Sequence, residues 1–286
     1  YSHAIEQKDN FAVYSGTSLE ELLQREFGSL RVNVRSGQPG IGANIYLRGY
    51  NSLNGASQPL IIVDGMIFDQ NLFSSSVHSG YYSNPLSDID PNDIERISVL
   101  KEGSLLYGVK GANGVIIIET KRAAALSTKV NAILSAGINL APKSIPMMGA
   151  SDYRVYAIEQ ATSKGLNASA INAQDYMNDN TQYANYYRYH NNTNWQDEVF
   201  KNSYNKNAFL TVSGGDDIAK YTLSLGFANY QGIIGNTDLN RLNSRFNADV
   251  NITRKLSFSA NLGFSTIDGN IKDDGINATT GIRYLA

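Results

Sequence analysis

The stretch that decides the fold runs from Asn84 to Lys121 and reads NPLSDIDPNDIERISVLKEGSLLYGVKGANGVIIIETK. Its first part has the features of a helix start. Asp90 is a good N-cap acceptor, Pro91 stands at the first helical position, where a missing N–H costs nothing, and Asp93 lies near the positive end of the helix dipole. A short helix is therefore predicted directly after Asp90.

Two apolar runs follow this helix start. Residues 94–100 are rich in Ile, Val and Leu up to a Lys-Glu-Gly turn, and residues 115–118 read Val-Ile-Ile-Ile after a segment rich in glycine. The second, continuous β-branched run predicts a strand that is buried on both faces. The whole stretch is predicted to fold as a short helix, a strand, a glycine loop and a second strand.

A helix is also predicted near the N-terminus. Ser18 and Glu21 have the spacing of a capping box, and the leucines of residues 18–27 form one apolar stripe. Gly28 suits the position after the last helical residue. Residues 1–16 are weakly patterned and predict an extended or poorly ordered lead-in.

Three short strands are predicted between this helix and Asn84. They lie at 30–35, 44–48 and 60–63, and the third ends at the turn pair Asp64-Gly65. A polar and aromatic insert then occupies the chain between Phe68 and Asn84. It shows no regular period, so a loop is predicted there.

Beyond Arg122 the apolar and polar residues alternate. Each of five segments has one apolar face and one polar, mostly uncharged face, and they lie at 129–140, 208–212, 219–230, 242–252 and 256–264. A soluble sandwich exposes Lys and Glu on its outer face, whereas a transmembrane barrel turns apolar residues to lipid and small polar residues to a wet lumen. The segments therefore predict antiparallel transmembrane β-barrel strands. Short turns at 214–218 and 253–255 and a long connection at 141–205 agree with that architecture.

Composition excludes several classes of function. Charged residues make up 17% of the chain, below the ~25% typical of soluble domains, and 18 tyrosines suit contact with lipid headgroups or carbohydrate. The net charge of −2 gives no long-range attraction to nucleic acid. The absence of cysteine excludes disulfides, thiolate metal sites and cysteine nucleophiles. No apolar run is long enough for a transmembrane helix, so any membrane span must be β.

The motifs that most resemble catalytic or metal sites have simpler interpretations. Residues 88–99 are spaced like a calcium loop, but Asp93 and Val99 stand where that loop needs Gly and Glu. The glycine loop at 108–114 lacks the following helix and the Gly-Lys-Ser/Thr of a phosphate cradle. The three histidines are scattered at His3, His78 and His190. We therefore predict no catalytic residue, no metal site and no cofactor.

Aromatic side chains are the candidates for substrate contact. The candidates in the loop before Asn84 are Phe73, His78, Tyr81 and Tyr82. A second tyrosine-rich run at 183–190 could stack on sugar rings or contact peptide backbones, and the alternative is an interfacial girdle or loop packing.

Together with YLRGYNSL at 46–53 and PLIIVDGM at 59–66, the opening stretch resembles the plug domain of SusC-like (SusC/RagA) TonB-dependent outer-membrane transporters. Order and spacing match over roughly seventy residues. The matching plug residues, which we interpret as structural, are Arg48, Gly49, Asp64, Gly65, Asp90, Pro91, Asp93, Tyr107, Gly108, Asn113 and Gly114. The chain departs from the family at 102–106, where a small Ala/Ser-rich run is usual, and at 109–110, where an Arg-Ala pair is common.

The resemblance continues to the end of the chain and implies its organisation. It covers 194–200, 210–215 and 230–234 and implies a mixed α/β plug followed by antiparallel barrel strands. Family barrels have twenty-two strands, and an open set of five would leave bare edges in lipid, so a longer polypeptide is predicted. The predicted bounds are 1–16 for the lead-in, 17–122 for the plug and 123–286 for the first barrel strands and loops.

The resemblance also implies a function. It implies TonB-dependent import of oligosaccharides or peptides across the outer membrane, in a bacterium of the Bacteroidota. The implied partners are a SusD-like surface lipoprotein, the inner-membrane TonB complex, outer-membrane lipid and the substrate, and no nucleic acid. Two other interpretations stay open: a non-transporting barrel used for assembly or docking in a surface complex, and a soluble Tyr-rich carbohydrate-binding β protein.

Overall fold

The computed structural model describes residues 5–9, 11, 14, 16, 18–34, 36–51, 57–68, 84–123, 127–253 and 255–272. The chain forms two compact units, one of residues 1–139 with 202–286 and one of residues 140–201. The four aromatic candidates of the loop before Asn84, which are Phe73, His78, Tyr81 and Tyr82, lie outside the described residues.

The N-terminal part of the first unit is built around a five-stranded sheet. Its elements are β1 (Ile5–Asp9), α1 (Leu19–Glu26), β2 (Arg31–Val34), β3 (Ala43–Tyr46), β4 (Leu60–Val63), β5 (Met66–Phe68), β6 (Ile94–Leu100), α2 (Ser104–Tyr107) and β7 (Val115–Thr120). The sheet order is β1-β6-β7-β4-β5, in which only β4 and β7 run parallel, and β2 and β3 form a separate hairpin. The predicted strands at 30–35, 44–48, 60–63 and 115–118 are confirmed.

The core of this part lies between α1 and the sheet. Leu19, Leu22 and Leu23 of the helix are buried with Ile97 and Ile116 of the two central strands. The predicted cap is confirmed, because Ser18 Oγ accepts a hydrogen bond from the Glu21 N–H at 3.3 Å. Apolar burial of this kind, at ~25 cal/mol per Å², is the main force that holds the helix to the sheet.

The helix ends as the sequence predicts: Phe27 is the C-cap, with an N–H that bonds to the Leu23 carbonyl at 3.0 Å, and Gly28 follows it at C′. The extended lead-in contains a strand that the sequence did not specify: residues 5–9 pair with the outer edge of β6, from Ile5 opposite Leu100 to Asp9 opposite Arg96. The segment IEQKD has no alternating pattern, so its pairing comes from the partner strand and not from its own sequence.

A tight hairpin joins β4 to β5. Asp64 and Gly65 both have positive φ, at 48° and 83°, and Val63 pairs with Met66 across the two-residue turn. Two left-handed residues make a turn whose twist matches that of the strands, and Asp-Gly is a preferred pair for it. The sequence predicted the turn but missed the short strand Met66–Phe68 that returns from it.

The predicted helix after Asp90 is a single 3-10 turn, Pro91–Asp93, and β6 follows at once. Asp90 is the N-cap, as predicted, and its Oδ1 accepts the Asn92 N–H at 2.9 Å. We call residues 90–93 the Asp90 turn. It is buried, and Pro91, Asn92 and Asp93 are all shielded from solvent.

Five long strands form the second sheet of the first unit. They are β8 (Lys129–Asn139), β9 (Ser203–Gly215), β10 (Ala219–Gln231), β11 (Asp238–Thr253) and β12 (Leu256–Asn270). Each pairs antiparallel with the next in the order β12-β11-β10-β9-β8. The predicted short strand at 208–212 is in fact residues 203–215, because polar residues outside the alternating segment continue the ladder.

The faces of this sheet are the reverse of those of a soluble sheet. On β10, Leu223, Leu225 and Phe227 are exposed, whereas the side chains between them, such as Thr222 and Ser224, are buried against the N-terminal part. Apolar residues that face outward and polar residues that face inward are typical of a membrane barrel wall. The predicted division of the strands into apolar and polar faces is therefore confirmed.

The second unit contains the long connection between β8 and β9, and it is largely helical. Its helices are α3 (Ala150–Ser163), α4 (Ala168–Asn172), α5 (Tyr186–Tyr189) and α6 (Trp195–Val199). In the tyrosine-rich run, Tyr186 stacks on His190 with ring centroids 3.9 Å apart, while Tyr187 is exposed. Within the described ranges, no helix combines the length and the apolar character needed to cross a membrane.

Candidate functional site

The candidate site is the contact between the N-terminal part and the inner face of the strands. Three carboxylates of the N-terminal part meet there: Asp64 from the β4–β5 turn, and Asp90 and Asp93 from the Asp90 turn. Two arginines of β11, Arg241 and Arg245, face them. Because side chains alternate along a strand, Arg241 and Arg245 point to the same face of the sheet.

Asp90 and Arg241 form a fully buried ion pair. Arg241 Nη2 lies 2.9 Å from Asp90 Oδ2, and both side chains are 1% exposed. Arg241 Nη1 also donates to the carbonyl oxygens of Ser87 at 3.0 Å and Ile89 at 3.4 Å. A buried pair offsets its desolvation only when further hydrogen bonds satisfy both ions, and these carbonyls supply some of them.

Arg245 bridges the other two carboxylates. Its Nε lies 2.7 Å from Asp93 Oδ2 and its Nη1 lies 3.2 Å from Asp64 Oδ2. Asp64 also accepts from the N–H of Thr120 at 2.9 Å and from its hydroxyl at 2.8 Å, so the hairpin turn is tied to β7 as well. Burial raises the pKa of Asp93 to about 6, although Arg245 opposes that rise.

Further inward side chains of β11 continue the contact along the strand. Asn243 Nδ2 donates to the carbonyl of Asp88 at 2.5 Å, and Asn247 Nδ2 donates to the Thr120 hydroxyl at 3.1 Å. Asp249 accepts from Arg122 Nη1 at 2.9 Å. Alternate residues of one strand, from 241 to 249, therefore all bind the N-terminal part.

A glycine lets the Asp90 turn approach the sheet. A Cβ on Gly226 of β10 would lie 3.1 Å from Asp90 Oδ2 and 3.4 Å from the Phe209 ring, which is tighter than an ordinary contact. Beside it lies a cleft of about 360 Å³, whose lining includes Asp88, Asp93, Arg245 and Ser265. Among the residues that the structure describes, no group of three or more His, Cys, Asp or Glu side chains could hold a metal ion.

The other motif residues that the sequence singled out contact different partners. Arg48 donates to the Lys101 carbonyl, and Asn113 accepts from Asn51 at 2.8 Å. Tyr107 packs on the small cluster of Ile62, Leu100 and Val115. The motif glycines have positive φ, and they are Gly49, Gly65, Gly108 and Gly114. The structure thus brings Asp64, Asp90 and Asp93 to one place and holds Arg48, Tyr107 and Asn113 at others.

Sequence reasoning missed the two arginines of β11. It read the Asp90 turn as helix capping and the inner face of the strands as mostly uncharged. The charged residues on that face of β11 are Arg241, Arg245 and Asp249, and Arg241 and Arg245 lie four residues apart. A cation on the lumen side of a predicted strand, set against an acidic turn elsewhere in the chain, was the available signal.

Comparisons with known proteins agree with this architecture. Residues 4–115 match the family model described as TonB-dependent Receptor Plug Domain. The chain is 29% identical over 91% of its length to "TonB-dependent receptor SusC" of Bacteroides thetaiotaomicron, and it covers 24% of that protein. It is 27% identical over 87% of its length to "TonB-dependent receptor P26" of Formosa agariphila, of which it covers 23%. The chain thus spans about a quarter of the length of the curated relatives it matches.

Solved structures share the fold. The RagAB peptide importer in its "open-open" state superposes with a TM-score of 0.78 at 22% identity, over 96% of this chain and 31% of that one. The ferric citrate transporter FecA in its unliganded form superposes with a TM-score of 0.59 at 14% identity, over 98% of this chain and 33% of that one. In both cases the N-terminal part and the five strands are included in the likeness.

Proposed function

We propose, from the premise that this chain is the plug and first barrel strands of a SusC-like TonB-dependent receptor, that the whole protein imports nutrients across the outer membrane. In this proposal the strands of the chain lie in that membrane. Within it, we take residues 17–122 as the plug and residues 123–286 as the start of the barrel wall. No covalent step belongs to the proposal, so the protein acts as a gated passage and not as an enzyme.

The observation that carries the proposal is the polar attachment of the plug to the wall. The inner face of β11 contacts the plug through the Arg241–Asp90 pair and the Arg245 bridge, while the outer face is apolar. When the plug moves, hydrogen bonds and ion pairs of this kind can be exchanged for bonds to water.

The gate would work as follows. Substrate binds above the plug, the inner-membrane TonB complex pulls on a segment upstream of it, and the plug yields a path along the wall. The contacts of Arg241 and Arg245 are then the interactions that must be broken and remade in each cycle. The cleft beside Asp93 is a place where such a path could widen.

The proposed substrates are oligosaccharides or peptides. One similar structure is titled a peptide importer, and one relative is named SusC. A SusD-like surface lipoprotein is the proposed outer partner, and membrane lipid covers the exposed apolar residues of the strands. The candidate contacts Phe73, His78, Tyr81 and Tyr82 remain a prediction.

The test is uptake by the full-length protein in its own bacterium. A deletion strain complemented with the wild-type gene would be compared with one that lacks residues 28–122, and uptake of labelled oligosaccharides and peptides would be measured with and without a protonophore. We expect energy-dependent uptake with the wild type and its loss with the deletion. A variant with Lys164→Ala in the helical unit is the control for expression.

Two results would overturn the proposal. Uptake that is unchanged and still energy-dependent without residues 28–122 would show that the plug is not part of the gate. No uptake defect in the full gene deletion, together with loss of a surface complex, would instead favour a non-transporting barrel used for assembly or docking.

A further inference from the structure

Asn92 grips the backbone of the N-terminal segment. Its Oδ1 accepts the Tyr14 N–H at 3.0 Å, and its Nδ2 donates to the Tyr14 carbonyl at 3.1 Å. One side-chain amide thus satisfies both backbone groups of Tyr14, in the way that a neighbouring strand would. Tyr14 is 5% exposed and lies 78 residues from Asn92 in sequence, so this contact docks the segment on the plug.

The same amide is bonded to the wall through Asp90. Asp90 Oδ1 accepts the Asn92 backbone N–H at 2.9 Å and Asn92 Nδ2 at 3.2 Å, while Asp90 Oδ2 accepts Arg241 Nη2 at 2.9 Å. One carboxylate therefore holds the Asn92 amide with one oxygen and β11 with the other. Hydrogen bonds therefore connect Tyr14 to Arg241 through Asn92 and Asp90.

The amide has only one acceptable orientation. Nδ2 faces two acceptors, the Tyr14 carbonyl and Asp90 Oδ1, and Oδ1 faces a donor. A flipped amide would set its oxygen against both acceptors. Asp90 therefore helps to fix the orientation in which Asn92 binds Tyr14, as long as the Asp90 carboxylate stays in place.

Arg241 holds the Asp90 carboxylate in place. Asp90 is 2% exposed, and a buried carboxylate that loses its counter-ion is expected to turn toward water. Such a turn would disturb the bond between Asp90 Oδ1 and Asn92 Nδ2. The loss of a contact on the wall is thus expected to loosen the N-terminal segment at Tyr14, through Asp90 and Asn92.

We propose that Asn92 is a positioning residue that couples the docking of the N-terminal segment at Tyr14 to the attachment of the plug at Arg241. This inference deepens the proposed import cycle, and its role in transport rests on that proposal. In the cycle, displacement of the N-terminal segment and release of the plug from β11 would favour each other. Coupling of this kind is reciprocal, so a change at either end shifts the equilibrium at the other.

The test is hydrogen exchange in the full-length protein, followed by mass spectrometry on a peptide that contains Tyr14. We expect Arg241→Met to speed exchange in this peptide by about tenfold, because it weakens a buried hydrogen bond at a distance. Asn92→Ala should speed it by a similar factor. Adding Arg241→Met to Asn92→Ala should cause no further increase, because the connection is already cut.

Arg245→Met is the matched control. Arg245 lies on the same strand and pairs with Asp93 and Asp64, neither of which bonds the Asn92 amide. It should leave exchange in the Tyr14 peptide unchanged. Slow exchange of the β10 amides in every variant would show that the wall is folded.

Either of two outcomes would overturn the coupling. One is unchanged exchange at Tyr14 in Arg241→Met. The other is a double variant whose effect is the sum of the two single effects. Because no transport is measured, the result is independent of whether the import proposal stands.

Discussion

Arg241 of β11 and Asp90 of the plug form an ion pair at 2.9 Å with both side chains 1% exposed, although they stand 151 residues apart in sequence. Breaking such a pair by removing one partner leaves an uncompensated buried charge. Removing both partners leaves no uncompensated charge. The pair therefore makes the attachment of the plug depend on both partners together.

We expect Arg241→Met to destabilise the plug by about 3 to 5 kcal/mol, since it strands the Asp90 carboxylate. Adding Asp90→Asn, which keeps an oxygen for the N-cap, should recover part of that loss. The measurement uses Leu19→Cys, at a buried position, in the full-length protein, and takes the urea midpoint at which this thiol reacts with a maleimide. A double variant less stable than Arg241→Met alone would contradict the expectation.

The pKa of Asp93 predicts a pH dependence. Burial raises it to about 6 in the folded protein, above the ordinary value of 3.8, so the folded state holds this proton more tightly than the unfolded state. Stability from this group is therefore present below pH ~4 and is lost as pH rises through 6, by on the order of 2 to 3 kcal/mol. Asp93→Asn should flatten that part of the profile.

The check is the same urea midpoint, measured between pH 4 and 8 for the wild type and Asp93→Asn. Other carboxylates titrate in both proteins, so the difference between the two profiles isolates Asp93. The expectation is wrong if the two profiles run parallel through pH 6.

Gly226 should be sensitive to a single added methyl group. Gly226→Ala places a Cβ 3.1 Å from Asp90 Oδ2, and overpacking of this kind costs about 1 kcal/mol or more. Gly263→Ala on β12 is the control, because the nearest atom to its Cβ would be 3.9 Å away. Unfolding in urea would compare the two, and equal midpoints would show that the Asp90 turn yields without cost.

A charged substitution on the outer face of the strands should be more destabilising in the middle of a strand than at its end. Leu262 lies within β12 and is exposed, and Leu256 begins the same strand. Leu262→Lys is expected to cost about 2 to 4 kcal/mol and Leu256→Lys about 0 to 1, if both side chains meet lipid. The heat-modifiable mobility of the full-length barrel on gels reports assembly. Equal tolerance of both changes would argue against a lipid-facing surface.

Sequence patterns predicted the parts of the fold that depend on interactions between residues close in sequence. The Asp64-Gly65 turn, the cap at Ser18 and the buried run 115–118 follow from backbone preferences and burial within a few residues. The alternation on β10 likewise shows its two faces. Strand β1 could not be predicted, because its residues carry no period and only the free edge of β6 makes them a strand.

The candidate site was harder to predict because it is formed by distant segments. The sequence pattern indicated a structural role for Asp64, Asp90 and Asp93. No residue near them in sequence indicates that two arginines of β11 pair with them. Asn92 passed unnoticed for the same reason, since its partner Tyr14 lies in a stretch without pattern. Contacts between a plug and a wall depend on register, and the period of a single strand does not fix the register between two segments.

The alternate residues of β11 that bind the plug have a consequence for biogenesis. Leu223 of β10 faces Phe246 of β11, and a slip by one residue would turn Arg241, Arg245 and Asn247 toward lipid. A wall that closed in the wrong register would therefore lose the plug and bury cations in hydrocarbon. Formation of these polar contacts therefore requires the correct pairing of β10 with β11.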